Sequence, residues 1–150
     1  MQLHAACVLN AILLCSAAIL LACDSEAQER SEARELLAKL SAVSDESSLR
    51  ERHAALEALG KLRLSVPSHV AMRDACRAAH QGLLEAESAQ ISARKALAAA
   101  SSDPAGGKLS PAQANAIAAD IEQSNRALAE AKGRFPTCER AIRELTTKAH

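Results

Sequence analysis

Cys76 and Cys138 stand at equal distances from Gly107, and Gly107 falls in the turn-forming run S-S-D-P-A-G-G-K that begins at Ser101. Clusters of Ser, Asp, Pro and Gly punctuate a chain that is otherwise helix-favouring. A helix rising from Cys76 covers about 25 residues, or ~37 Å at 1.5 Å per residue. A second helix of similar length descends to Arg134 and returns Cys138 to the level of Cys76. Turn and cysteines therefore agree on one antiparallel hairpin, clamped at its base.

The flanking sequence supplies the helices. Ser110-Pro111-Ala112-Gln113 places Ser at an N-cap, Pro at the first helical position and Gln at the third, a capping-box pattern. The ascending helix is predicted over about 68–101, with Met72, Cys76, Ala79, Leu83, Ala86, Ala93 and Leu97 at 3-4 spacing and Gln90 interrupting them. The descending helix presents Ala114, Ile117, Ile121, Leu128, Ala131 and Phe135 as its seam. Gly133 and Pro136 are expected to end it, and a short last helix with Ile142 and Leu145 follows from about Thr137. Upstream, Ser25 to Val43 carries Ala33, Leu36, Leu37, Leu40 and Val43 at helical spacing. After S-D-E-S-S a second helix carries Leu49, Leu56 and Leu59 to Gly60. Pairs at i,i+4 decorate the outside: Glu26–Arg30, Glu35–Lys39, Glu46–Arg50, Glu122–Arg126, Glu130–Arg134, Glu139–Arg143 and Glu144–Lys148. The expected fold is all-α: an elongated antiparallel hairpin or coiled coil with two further N-terminal helices, a small helical bundle.

Composition narrows the function. Phe135 is the only aromatic residue, so base-stacking platforms cannot be built. Lys and Arg number 18 and Asp and Glu number 18, which argues against a nucleic-acid footprint. Alanine makes up roughly a quarter of the chain, and Ala, Leu, Glu, Arg and Lys together give the composition of long helices. No nucleophile elbow or H-E-x-x-H helix occurs, and A-G-G-K at Ala105 lacks the strand that precedes a phosphate loop. The expectation is a protein that is not an enzyme, with no cofactor.

All 36 charges follow Cys23, 18 of each sign, and Val8 to Cys23 is almost wholly apolar, broken only by Asn10 and Ser16. An apolar core of this length, ending at small residues, has the form of a secretory signal. Leu20-Leu21-Ala22-Cys23 resembles the lipobox of bacterial lipoproteins. The resemblance covers residues 1–23 only. It implies diacylglyceryl transfer to the Cys23 thiol, cleavage before it and acylation of the new amino group. Residues 1–22 would then be a signal peptide and 23–150 one mature helical domain in the bacterial cell envelope, facing the periplasm. Asp24 sits where enteric lipoproteins carry an inner-membrane retention signal, a rule that differs between bacterial groups, so the choice of membrane stays open. An uncleaved anchor and an unlipidated secretory signal are the alternatives.

In an exported protein the remaining pair, Cys76 and Cys138, is expected to form a disulfide. A metal bound by Cys76, His80 and Cys138 is the minor alternative, with His69 too far along the helix to join. The function expected is structural or protein-interacting: a tether, adaptor or subunit of an envelope assembly, with an envelope protein as partner and helical seams that could pair copies. The alternative is a periplasmic client- or ligand-binding protein, chaperone-like or an enzyme inhibitor.

Overall fold

A computed structural model of the chain describes residues 25–44, 48–102 and 108–150, all helical apart from short connections. Cys23, Asp24, Glu46 and the turn around Gly107 lie outside the described residues. Among the described residues four helices make an all-α bundle: α1 (25–44), α2 (Leu49–Gly60), α3 (Pro67–Ser101) and α4 (Pro111–Ala149). Among the described residues no helix is long and apolar enough to cross a membrane.

Each helix starts for a local reason. Ser48 caps α2 by accepting from the Glu51 N–H, and Glu51 adds a negative charge in the first turn. Pro67 opens α3 at a position whose N–H would be an orphan in any case. Ser110 and Gln113 form the full capping box of α4, with both reciprocal bonds made.

The predicted break at Gly133 and Pro136 does not occur: α4 runs unbroken through Pro136, and there is no separate helix from Thr137. A proline inside a helix removes an N–H and costs ~3 kcal/mol when nothing compensates. Here Ala131, Cys138, Ala141 and Leu145 pin one face of the helix on both sides of the proline. Pro136 and Gly133 face outward, where water can satisfy the freed Lys132 carbonyl. Packing overrides the local preference.

α3 and α4 form the expected antiparallel hairpin, and Cys76 and Cys138 are joined in a disulfide with Cα atoms 4.5 Å apart. α1 lies in the groove between them at the base, parallel to α3. Near its start Gln28 Nε2 donates to Ser65 Oγ, while Val43 near its end faces Leu83, Leu84 and Phe135. α2 runs back along the outside of α3, from the Arg52–Glu87 ion pair to Gly60 against Arg77. The main core belongs wholly to this base. It joins Ala33, Leu36, Leu40 and Val43 of α1, Leu56 and Leu59 of α2, Cys76, Ala79 and Leu84 of α3, and Cys138, Ala141 and Leu145 of α4.

Candidate functional site

The hairpin's contact line consists of small residues. Cys76, Ala79, Gly82, Ala86, Ala89 and Ala93 of α3 are buried against Ile117, Ser124, Ala127, Ala131 and Cys138 of α4. A Cβ placed on Gly82 would lie 3.2 Å from both the Ala127 carbonyl oxygen and the Ala131 Cβ. The two backbones thus approach too closely for a larger residue at this level. Ser124 is buried in the same line, with its hydroxyl making no hydrogen bond.

This corrects the predicted seam. Leu83, Leu97, Ala114, Ile121, Leu128 and Phe135 do not form the contact line; α3 and α4 are each rotated so that smaller neighbours do. Large side chains would hold the helices apart, whereas Gly82, Ala89 and Ala127 allow close approach, and the disulfide fixes the rotation at one end.

The displaced residues line one flank of the hairpin. Leu83 and Leu128 sit one position beyond a seam residue, as does Gln90, and Leu97, Ile121 and Phe135 sit four beyond Ala93, Ile117 and Ala131. The opposite flank carries Glu85 and Ser92 of α3 with Gln123 and Glu130 of α4, all polar. At the base the apolar flank is occupied by α1, whose last turn carries Val43. Past that point it opens into a depression of about 420 Å³ lined by Leu83, Ala86, Gln90, Arg94 and Leu128 among others. Leu97, Ile121 and Leu128 are 43%, 47% and 43% exposed, and they are the exposed large hydrophobic residues among those described. All three lie on the half of the hairpin that α1 and α2 leave uncovered.

The base carries a second polar feature that the sequence reading missed. The Glu32 carboxylate accepts from the Ser65 N–H (2.9 Å), the Ser65 hydroxyl and the Val66 N–H (3.2 Å), where the chain enters α3. α3 has no side-chain N-cap of its own, so α1 supplies the negative charge at its positive end. Partial burial alone would raise the Glu32 pKa, but these bonds and the nearby His69 ring hold it at about 2. His69 is fully buried beneath, with Nδ1 3.5 Å from a Glu32 oxygen and neither ring nitrogen hydrogen-bonded. The signal for this contact is tertiary, since Glu32 and Ser65 are 33 residues apart.

The remaining predicted residues fall as follows. The Cys76 and Cys138 sulfurs are bonded to each other, which leaves no thiolate for the metal alternative with His80. Among the described residues no group of three or more His, Cys, Asp or Glu could hold a metal ion. His80 packs edge-on against Phe135, ring centroids 5.3 Å apart, and burial holds its pKa below the ordinary value. Glu26–Arg30 and Glu130–Arg134 pair as expected. Lys148 does not pair with Glu144; it reaches across to Glu29 of α1, because Ala149 is buried and brings the last turn against α1. Arg34 reinforces this end by donating to the Ala149 carbonyl.

No known protein family, curated protein or solved structure matches the chain.

Proposed function

We propose that this chain is a lipid-anchored, non-enzymatic interaction module of the bacterial envelope, acting as a tether, adaptor or assembly subunit. The carrying observation is the uncovered half of the hairpin. Its large apolar residues, Leu97, Ile121 and Leu128, stand on one flank with a polar flank opposite. Exposed apolar side chains gathered on one side mark an interaction surface rather than random scatter. The disulfide and the α1–α2 packing make the base a rigid mount, so the surface stands at a set distance from the start of α1, two residues after Cys23 in the sequence. The lipobox resemblance at Leu20–Cys23 supports the anchor, and two or three acyl chains would make it stable.

Two measurements on the full chain in bacterial membranes test the reading. Cys23→Ser should abolish incorporation of labelled fatty acid and leave an unprocessed precursor; unchanged cleavage and membrane attachment would sink the lipid anchor. A photo-crosslinking residue at Leu97 or Leu128 should give an adduct of defined mass, whereas one at Ser92 or Gln123 should not. Equal labelling from both flanks, or none from either, would contradict the presented surface.

A further inference from the structure

We propose that the partner of the open flank is the same flank of a second copy, with two hairpins running antiparallel about a twofold axis at the level of Gln90. This rests on the reading of that flank as the module's binding surface and names its occupant.

Continuity is the first argument. At the base, the groove between α3 and α4 is closed by α1, and α2 completes a four-helix cross-section. Beyond Val43 the same groove continues with residues of the same kind and only two helices in cross-section. A second hairpin laid along it restores four helices, the arrangement the base already uses.

The flank is also complementary to itself. The disulfide sets the register, so Gln90 of α3 stands level with Ser124 of α4. Leu83 and Leu97 lie seven residues on either side of that level, while Ile121 and Leu128 lie three and four residues from it, as do Glu87 and Arg94. An antiparallel twofold therefore sets Leu83 against the partner's Leu97 and Ile121 against the partner's Leu128. It also brings Arg94 to the partner's Glu87. Arg94 has no ion-pair partner among the described residues, and Glu87 pairs with Arg52 through Oε2. Gln90, midway between Leu83 and Leu97, meets its own copy on the axis. A carboxamide both donates and accepts, so the pair satisfies itself and fixes the register, as single polar residues do in coiled coils.

The overlap from residue 83 to 97 is about 21 Å long and roughly 20 Å wide, about half the ~800 Å² per partner of a standard interface. Association is accordingly weak in dilute solution and is favoured where a tether concentrates the copies. The antiparallel arrangement places the starts of the two α1 helices at opposite ends of the dimer.

The test uses the full chain in bacterial membranes under a mild oxidant, with the unsubstituted chain as the background for its own thiols. Gln90→Cys should give a covalent dimer of twice the chain mass, and Ser92→Cys on the polar flank should not. Leu83→Cys and Leu97→Cys should crosslink when co-expressed and not singly, since like residues stand about 21 Å apart in the antiparallel pair. Leu128→Glu in the Gln90→Cys chain should abolish the dimer. No more dimer from Gln90→Cys than from Ser92→Cys overturns the proposal, as does efficient dimerisation of Leu83→Cys alone. If a photo-crosslinker at Leu97 captures only a protein of different mass, the second copy is overturned and the interaction surface stands. If it captures nothing, both fail.

Discussion

The two halves of the hairpin are built from the same two helices and held by different physics. At the base, α3 and α4 share a core with Leu36, Leu40, Leu56 and Leu59 of the first two helices, and the disulfide closes it. In the distal half the buried residues are Ala86, Ala89, Ala93, Ile117, Ser124 and Ala127, and the larger Leu97, Ile121 and Leu128 face out. Apolar burial contributes in proportion to area. A seam of Ala and Gly draws the backbones together but removes little surface from water. The base is therefore the source of stability, and the distal half is a surface held in place by it.

The contrast breaks most visibly through the disulfide. It closes a loop with a sequence separation of 62, which stabilises by about 4 kcal/mol in the chain-entropy model. Cys76→Ala/Cys138→Ala should lower the urea midpoint accordingly. A shift under a quarter of that size would mean the base packing alone sets the hairpin. Next come paired truncations measured on dilute protein. Leu59→Ala in the base should cost about 3 kcal/mol, whereas Leu128→Ala in the distal half should stay within about 0.5 kcal/mol. Equal costs would erase the distinction between the halves.

Glu32 sharpens the comparison by tying α1 to the start of α3. Glu32→Gln should cost roughly 2 kcal/mol, because the Ser65 and Val66 donors lose a charged acceptor. The sign of its pH dependence follows from its depressed pKa. The contribution is complete above the ordinary value of 4.5 and is lost as pH falls towards about 2. His80 adds an earlier step of the same sign. Its folded pKa lies below the ordinary 6.5, so the unfolded chain takes up the proton first and stability declines as pH falls below that value. Acid titration of stability should show both steps, and His80→Leu should remove only the earlier one. One change is expected to be a gain. Ser124→Ala removes a buried hydroxyl that has no partner and improves helix propensity, and should stabilise by about 1 kcal/mol by chemical denaturation. A loss would mean the hydroxyl is satisfied in solution.

Much of this architecture was legible in the chain. The capping box at Ser110, the spacing of Cys76 and Cys138 about Gly107, and the Leu36–Leu40–Val43 stripe are local or arithmetical signals, and the helices and the disulfide follow from them. Two features were misread for one reason. Pro136 reads as a terminator, and Leu83, Leu97, Ile121 and Leu128 read as core, when each residue is judged by its own preference. Tertiary packing decided both: the base holds α4 helical through Pro136, and close approach at Gly82 turned the larger residues to the flank. The candidate surface was therefore visible as a set of residues and invisible as a surface. The Glu32 contact with Ser65 carried no local sign.

Hydrogen exchange on the full chain, compared between dilute and concentrated samples, tests the central claim most directly. Dilute protein should exchange fastest at amides of 89–101 and 111–128 and slowest around Leu36, Cys76 and Leu145, since opening of the distal half breaks only the Ala seam. Concentration should slow exchange in the distal half and leave the base unchanged. Uniform protection along both helices, the same at every concentration, would contradict the division of the hairpin into a stabilising base and a presented surface.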